Sequence, residues 1–394
     1  MIKEAVILAA GEGKRLKPFT ETMPKVMLPV ANKPILEYVV EALEKVGIDN
    51  IVIVIGYKKE IIQDYFKDYE NITFVTQDKQ LGTAHALLQA KKIIDDDFLV
   101  LAGDNIIDSM SISKLLDEKS KISMLVKESS IPSKYGVVFI EKNHLKKIVE
   151  KPKYESSKFI STGIYKFPRN IFEYIKKMAS EGIYDLTSVI QFLLRKEERI
   201  SVSFAELWQD VVYPWDLLDV NARMLDNKNS SIEGNIEKNV VIKGKVSVGK
   251  DTIIRSGSYI VGPTVIGENC EIGPNVSIFP STSIGDNSTI HPFTEIRNSI
   301  LMGEVEIGSM SFISHSIIGG GCKLENNFSA LPGSATMEIE EEFMRIDKIG
   351  SIIGEDTSIG SHVVVEPGKI IGRKCIISSL KKVVNNIPSR SIVM

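Results

Sequence analysis

The hydrophobic positions in the first part of the chain predict alternating strands and helices. Continuous apolar runs rich in β-branched residues predict buried strands at 5–10, 51–55, 72–76 and 98–102. Apolar residues at helical spacing predict helices at 34–46 and 84–94. Because this alternation is typical of a parallel sheet covered on both faces, we expect an α/β domain. Ligands of such sheets bind where the strands end, so the loops after the first, third and fourth strands are the expected site.

The hydrophobic pattern changes after a polar segment at 226–231, which predicts a linker and a boundary between residues 228 and 229. Aliphatic residues then recur every six positions from Val248 to Ile296 and again from Ile353 to Ile377, and Gly often follows them. A helix would need a period near 3.6 and a flat strand a period of 2. A period of six indicates the hexapeptide repeat, in which each side of a coil of short strands sends one aliphatic side chain inward.

We therefore expect residues 1–228 to form the α/β domain and residues 229–394 to form a left-handed parallel β-helix. The segment 338–348 interrupts the repeat and predicts a projecting loop. Proteins with this repeat are usually trimers, so the resemblance implies a homotrimer or a higher homo-oligomer assembled through the β-helix.

Composition narrows the possible functions. The 48 basic and 51 acidic residues leave a net charge of −3, which gives no signal for binding nucleic acid or a membrane surface. No apolar run is long enough to cross a bilayer, and Met1 leads directly into a strand-like run without a signal peptide, so we expect a cytoplasmic protein. The three cysteines, Cys270, Cys322 and Cys375, form no C-x-x-C pair and are expected to be buried small apolar residues.

The loop after the first strand combines glycines with positive charge in the sequence L-A-A-G-E-G-K-R-L-K-P, residues 8–18. Gly11 and Gly13 would let backbone N–H groups approach phosphate oxygens closely, and Arg15 and Lys25 add cations. The loop is neither a Walker loop nor a dinucleotide fingerprint, because it lacks G-K-S/T and a third glycine. By itself, it is also compatible with a mobile basic loop.

Together with later motifs, this loop resembles the signature loop of sugar-1-phosphate nucleotidylyltransferases. The remaining motifs occur in the family's order: Q-D-K-Q-L-G-T-A-H-A from Gln77, Gly103-Asp104, Tyr135-Gly136-Val-Val, Glu150-Lys151-Pro152, Thr162-Gly163-Ile-Tyr and Trp208-Gln-Asp210. The match covers the whole first half and implies a Rossmann-like mixed sheet in a nucleotidyltransferase domain. In such enzymes a sugar phosphate oxygen attacks the α-phosphorus of a nucleoside triphosphate, so positioning and charge stabilisation provide the catalysis.

The resemblance implies roles for the charged residues. Arg15 and the backbone of Gly11 and Gly13 would hold the β- and γ-phosphates, and Lys25 would neutralise the α-phosphate.

Asp104 and Asp210 are implied as ligands of Mg²⁺, which prefers carboxylate and phosphate oxygens. The family usually has Gly shortly after the second aspartate, and Val212 stands there in this chain. We expect the nearby Asp216 to be the N-cap of the next helix.

The resemblance also implies contacts with the nucleobase and with the sugar phosphate. The edge of the nucleobase would be read by Ala10, Gln77, Gly82 and Thr83. The sugar hydroxyls would be contacted by Gly136, Glu150 and Thr162, together with Thr187. The sugar phosphate would be contacted by Lys151.

Function stays open between three alternatives. The first is a uridylyl- or thymidylyltransferase acting on glucose-1-phosphate or N-acetylglucosamine-1-phosphate, which the Q-L-G-T-A-H-A segment favours. The second is a bifunctional enzyme that also acetylates glucosamine-1-phosphate with acetyl-CoA, as the segment D-K-I-G-S-I-I-G from Asp347 suggests by resemblance. Against it, Ser309 stands where the archaeal relatives have a catalytic His, Phe312 replaces Tyr and His315 replaces Asp. The third is a catalytically inactive regulatory subunit.

Overall fold

The structure, a computed structural model, describes residues 2–153 and 157–394. Within them, contacts divide the chain into two compact units. The first comprises residues 2–12, 24–27 and 35–210, and the second comprises 13–23, 28–34 and 211–394. The predicted boundary at residue 228 stays a prediction. Two loop segments of the first half, 13–23 and 28–34, group with the second unit, so neither unit is continuous in sequence.

A nine-stranded mixed sheet forms the centre of the first unit in the described residues. Its strands, numbered along the chain, are β1 Glu4–Ala9, β2 Asn50–Ile55, β3 Ile72–Thr76, β4 Phe98–Ala102, β5 Ile122–Glu128, β6 Gly136–Glu141, β7 His144–Glu150, β8 Phe159–Phe167 and β9 Ile200–Phe204. Their spatial order is β3-β2-β1-β4-β8-β5-β9-β7-β6. Strands β1 to β4 run parallel, and β8 is antiparallel to both β4 and β5, which confirms the mixed α/β sheet.

Helices cover the sheet as the apolar spacing predicts. They are α1 Ile35–Lys45, α2 Lys59–Tyr65, α3 Thr83–Gln89, α4 Ser109–Asp117, α5 Ile171–Ser180 and α6 Leu186–Arg195, with α7 Asp216–Asn227 in the second unit. The predicted helix 84–94 is α3 followed by the 3₁₀ turn Ala90–Lys92. Apolar side chains of α3, α5 and α6 pack in one core cluster with those of the sheet strands, which removes both from water.

Three parallel sheets form the β-helix of the second unit. The first contains Ser231–Ile232, Val246–Val248, Thr264–Ile266, Thr282–Ile284, Ile300–Leu301, Ile317–Ile318, Ile352–Ile353 and Ile370–Ile371. The second contains Asn235–Ile236, Ile253–Ile254, Glu271–Ile272, Thr289–Ile290, Glu306–Ile307, Lys323–Leu324, Ser358–Ile359, Ile376–Ile377 and Ile392–Val393. The third contains Val241–Lys243, Tyr259–Val261, Ser277–Ile278, Glu295–Arg297, Phe312–Ser314, Ser329–Ala330, Val364–Val365 and Lys382–Val383.

The pairing of these strands explains the six-residue period. Ile254 pairs with Ile272 and Ile272 with Ile290, so each turn takes three hexads, and the aliphatic residues are fully buried in one continuous core. Ile290 pairs with Ile307, one residue earlier than the hexads require. The period therefore fails after Ile296 because some turns are shorter, while the coil continues.

We expect Ile290→Ala to lower the free energy of unfolding by about 2–5 kcal/mol, because it leaves a cavity in a stacked core. Ile290 is completely buried. Thr289→Ala on the same strand is the matched control, since successive side chains of a strand point to opposite faces. Urea denaturation followed by circular dichroism measures both changes, and equal stability of the two variants would contradict the expectation.

The predicted loop at 338–348 is wrong, because this segment forms an antiparallel hairpin. Its strands are Gly333–Ile339 and Glu342–Ile349, and only Glu340 and Glu341 lie between them. The interruption of the hexad pattern marks an insertion, and the inserted residues pair with each other instead of joining the coil.

The expected N-cap role of Asp216 is also wrong, because Asp216 is the first residue of α7 and Trp215 is its N-cap. The Asp216 carboxylate accepts hydrogen bonds from the backbone N–H groups of Val212 and Tyr213, both at 2.8 Å. It stabilises the preceding turn rather than the helix terminus.

The cysteine prediction is confirmed, since Cys270, Cys322 and Cys375 are free and buried. Burial raises the pKa of the Cys322 thiol to about 12. In the described part of the chain, no helix combines the length and the apolar character that crossing a membrane requires.

Candidate active site

The structure brings together Lys25 and the two aspartates that the motifs single out. The Lys25 Nζ lies 2.5 Å from Asp104 Oδ2 and 3.4 Å from Asp210 Oδ1. All three belong to the first unit, and the Lys25 side chain is only 14% exposed. The predicted catalytic lysine and both predicted metal ligands therefore form one cluster, while their roles stay predictions.

A short antiparallel ribbon explains how residues so far apart in sequence meet. Asn105–Ile107, immediately after Asp104, pairs with Trp208–Asp210, and Asp210 lies opposite Asn105. The buried Asn105 anchors this ribbon, since its Nδ2 donates to the backbone carbonyl of Thr162 at 3.2 Å. Pairing of the ribbon thus places the carboxylate of Asp210 beside that of Asp104.

The charge of Lys25 is maintained by these neighbours. Burial disfavours the charged ammonium, but the carboxylates of Asp104 and Asp210 outweigh it and raise the pKa of Lys25 above its ordinary value. Lys25 therefore stays protonated at neutral pH, which suits a fixed cation rather than a base.

The two carboxylates fit a divalent metal ion that binds together with a phosphate ligand. No group of three or more His, Cys, Asp or Glu side chains suited to a metal occurs among the described residues. Mg²⁺ is commonly held by one or two carboxylates, substrate phosphates and water, so a protein cage is not needed. The pair Asp104 and Asp210 supplies the protein's share of such a site.

Hydrogen bonds of glutamine side chains stabilise the segment predicted to read the nucleobase. Gln77 is buried, and its Nε2 lies 3.2 Å from the Gly82 carbonyl and 2.9 Å from His85 Nδ1. The carbonyl of Ala10 accepts from Gln80 Nε2 at 2.6 Å. Gln80 lies inside the quoted motif, but nothing in the sequence distinguished it from its polar neighbours.

Thr83 and Gly82 connect this segment to the start of α6 and to the residues just before it. The Thr83 hydroxyl accepts from the backbone N–H of Leu186 at 3.0 Å. Gly82 has φ +153°, and a Cβ placed on it would lie 2.5 Å from the carbonyl oxygen of Tyr184. Tyr184 is a contact that sequence analysis missed, since no motif includes it.

We expect Gly82→Ala to weaken nucleotide binding by about tenfold or more, because the added methyl group would collide with the backbone at Tyr184 and displace the base segment. Gly182→Ala is the matched control, since Gly182 also has positive φ but an added Cβ would meet nothing within 4 Å. Binding of each triphosphate by isothermal titration tests the difference. Equal affinities in the two variants would show that the close approach at Tyr184 is unimportant for binding.

The residues predicted to contact the sugar form a second group. Gly136 pairs with Glu150 across β6 and β7, and the Thr187 hydroxyl donates to Glu150 Oε2 at 3.1 Å. A Cβ at Gly136 would lie 3.2 Å from Glu150 Oε2, so glycine keeps this carboxylate accessible from that side. Lys151 follows with φ +40°, and its backbone N–H donates to the Tyr135 carbonyl at 3.1 Å.

Thr162 differs from this group, because its side chain is occupied inside the fold. It is buried, and its hydroxyl donates to the Leu125 carbonyl at 2.8 Å. It lies where the pairing of β8 with β5 shifts register. A sugar contact of Thr162 stays a prediction, and the structure assigns its hydroxyl to the sheet.

Gly11 and Gly13 lie in the loop after β1. Gly11 has no neighbour within 4 Å of an added Cβ, which leaves its backbone open to a ligand. Gly13 adopts φ +70° and precedes the 3₁₀ turn Lys14–Leu16. Arg15, in this turn, belongs to the second unit, and its partners there are Glu340 and Glu342.

A family model described as Nucleotidyl transferase matches residues 4–227, more than half of the chain. The chain belongs to this family. A model described as the GMPPB C-terminal domain matches residues 260–383, within the β-helix. Membership of the nucleotidyl transferase family confirms the reaction class predicted from the motifs, and enzymes of this family generally use a divalent metal ion.

Relatives of this nucleotidyltransferase extend over both units. The bifunctional protein GlmU of Methanocaldococcus jannaschii is 36% identical over 99% of this chain and 97% of that protein. The bifunctional sugar-1-phosphate nucleotidylyltransferase/acetyltransferase of Sulfurisphaera tokodaii is 36% identical over 94% of each chain. A Bacillus anthracis crystal structure described as a glucose-1-phosphate thymidylyltransferase matches 58% of this chain and 97% of its own with a TM-score of 0.53 and 26% identity.

An acetyl-transfer site in the second unit stays a prediction. Ser309 occupies the position expected for the catalytic histidine. His315 is half-buried, and its Nδ1 lies 2.8 Å from the hydroxyl of Ser314. Burial, with a smaller effect of Lys348, lowers the pKa of His315, so its imidazole is neutral at pH 7.

Proposed function

We propose that this enzyme transfers a nucleotidyl group from UTP or dTTP to a sugar-1-phosphate, either glucose-1-phosphate or N-acetylglucosamine-1-phosphate, and releases pyrophosphate. The observation that supports it most directly is the cluster of Lys25, Asp104 and Asp210. A buried cation beside two carboxylates that can hold a metal ion is suited to bringing anionic phosphates together.

In the proposed reaction, an oxygen of the sugar phosphate forms a bond to the α-phosphorus as the bond from that phosphorus to the bridging oxygen of pyrophosphate breaks. The attacking phosphate monoester has a second pKa of about 6, so it is already mostly dianionic and needs no base. Lys25, fixed as a cation, lowers the repulsion between the two anions at the α-phosphate. Mg²⁺ held by Asp104 and Asp210 would neutralise charge on the phosphates.

The choice of nucleotide is supported by the base segment and the relatives. The Nε2 of Gln77 bonds to Gly82 and His85, which fixes the orientation of its amide and leaves its Oε1 as the acceptor that could face a base edge. One relative is named bifunctional protein GlmU, and a structural neighbour is named glucose-1-phosphate thymidylyltransferase. These names support a pyrimidine nucleotide and a glucose-type sugar.

The bifunctional alternative has one specific observation in its favour. The M. jannaschii and S. tokodaii relatives are both named as bifunctional, and they match this chain through the β-helix. Against it, serine cannot act as the general base at position 309. Acetyl-CoA is therefore the second substrate only if another base, of which His315 is the candidate, replaces the missing histidine.

Assembly as a homotrimer through the β-helix, and a cytoplasmic location where nucleoside triphosphates are available, complete the proposal. The flat parallel sheets of the β-helix are the surfaces suited to association. Size-exclusion chromatography with light scattering measures the oligomeric state directly.

One experiment tests the function and its alternatives. The protein is incubated with Mg²⁺, each of the four nucleoside triphosphates and a panel of sugar-1-phosphates, and pyrophosphate is measured. In parallel, thiol release from acetyl-CoA is followed with glucosamine-1-phosphate. Formation of pyrophosphate with UTP or dTTP supports the proposal. Formation of pyrophosphate only with a purine nucleotide rejects the predicted base. If no pyrophosphate forms, the inactive regulatory subunit is the alternative that remains. Thiol release establishes the bifunctional alternative.

A further inference from the structure

The hairpin inserted into the β-helix has an unusual tip. Glu340 and Glu341 are its two central residues, with φ of +49° and +66°. Two consecutive residues of positive φ are typical of the type I′ turn, which favours Asn-Gly, whereas longer side chains are disfavoured there. Two glutamates therefore occupy a turn for which their conformational preferences are poor.

One of these glutamates and the next residue hold Arg15. The Arg15 Nε lies 3.3 Å from Glu340 Oε2, and its terminal nitrogen lies 3.8 Å from Glu342 Oε1. The guanidinium also lies over the ring of Tyr213, 5.8 Å from its centroid. The Tyr213 hydroxyl donates to Glu342 at 2.5 Å, so the ring and this carboxylate form one support for the guanidinium.

Arg15 is the residue of the glycine-containing loop for which the motifs imply contact with the β- and γ-phosphates. Carboxylates and phosphates compete for the same guanidinium, because both offer paired oxygens that match its N–H groups. A bound triphosphate and two glutamates around one cation would also repel each other. The two ligands of Arg15 are therefore alternatives, and the hairpin occupies it when nucleotide is absent.

We propose that Glu340 and Glu342 act on nucleotide binding through Arg15: they hold its guanidinium when no nucleotide is bound and so compete with the triphosphate for it. This inference rests on the proposed function. It means that the inserted hairpin sets the affinity of Arg15 for the triphosphate. Glu341 shares the turn and the charge, but the ion pairs that the structure describes for Arg15 are with Glu340 and Glu342.

The test compares Glu340→Gln and the double variant Glu340→Gln/Glu342→Gln with the control Glu341→Gln in the full chain. Each loses negative charge at the same tip, so a general electrostatic effect would appear in all of them. The ion pairs are partly exposed, so we expect the Kd for Mg²⁺-UTP or Mg²⁺-dTTP to fall about threefold to tenfold in the double variant. Glu341→Gln should change it by less than about twofold, and salt should reduce the difference.

Hydrogen exchange gives a measurement that a purely structural role would not change. Addition of nucleotide should increase amide exchange at residues 338–344 of the wild-type protein, because the tip loses its contacts with Arg15. Glu340→Gln alone leaves the contact between Glu342 and Tyr213 in place, so it keeps the test interpretable if the double variant unfolds.

Unchanged or weaker nucleotide affinity in Glu340→Gln, or exchange at the tip that nucleotide leaves unchanged or slows, would overturn the inference. The proposed function fails by a different result, namely a wild-type protein that forms no pyrophosphate with any substrate pair. An active wild-type enzyme whose variants bind nucleotide equally well would reject only the role of the hairpin.

Discussion

Replacement of Lys25 by methionine should lower kcat/KM for nucleotidyl transfer by about two orders of magnitude or more. The loss corresponds to roughly 3 kcal/mol or more of transition-state stabilisation, the magnitude found when a single charge-stabilising group is removed. Methionine keeps much of the apolar stem but removes the cation that lies between Asp104 and Asp210. Steady-state measurement of pyrophosphate release gives the change directly.

The matched control is Lys146→Met, because Lys146 is an exposed lysine of β7 that forms an ion pair with Glu141. It should retain wild-type turnover. Lys25→Met has a second expected effect that does not depend on activity. Since the ammonium no longer occupies the two carboxylates, Mn²⁺ should bind more tightly in the absence of nucleotide, as measured by electron paramagnetic resonance. Near-wild-type turnover in Lys25→Met would reject its proposed role.

Replacement of Asp104 or Asp210 by asparagine should also lower kcat by about two orders of magnitude, and should raise the Mg²⁺ concentration needed for half-maximal activity. Each substitution removes one of the two carboxylates that fit the ion, and a neutral amide is a weaker ligand for a hard cation. The volume and the ribbon that positions the side chain are preserved. Activity is measured across a Mg²⁺ titration.

Asp49→Asn serves as the control, because Asp49 is an exposed carboxylate paired with Lys3. A normal Mg²⁺ requirement in both Asp104→Asn and Asp210→Asn would mean that the carboxylates only orient Lys25. In that case any loss of turnover in these variants would come from displacement of Lys25, and other groups would have to hold the metal ion.

Most of the architecture could be predicted from local patterns. Strand β4 occurs at the residues that its apolar run indicated, since buried parallel strands need apolar side chains on both faces. Strand β3 also lies where it was predicted, but it is an edge strand and is only partly buried. The hexad period predicted the β-helix because each turn repeats the same local arrangement. The period did not show that some turns are one residue shorter. In those turns the position that faces inward moves by one residue, while the residue there is still aliphatic.

The candidate site was only partly predictable. The motifs selected Lys25, Asp104 and Asp210, but their meeting depends on the ribbon that pairs Asn105–Ile107 with Trp208–Asp210. The motifs also treated Thr162 as a sugar contact, whereas its hydroxyl bonds to the Leu125 carbonyl in the structure. A motif records which residue types occur, and it does not record the partner that occupies each polar atom.

The amino-acid sequence by itself determined the two fold types, the position of the repeat and the reaction class, because periodicity and ordered motifs are properties of neighbours along the chain. Only the tertiary structure decided that residues 338–348 form a hairpin, that Asp216 caps the preceding turn, and that Arg15 lies against Glu340 and Glu342. The contacts of Arg15 depend on groups far apart in sequence, which meet only when the chain has folded. The hairpin and the turn at Asp216 involve neighbouring residues, but which backbone groups pair there is not recorded by residue type or period.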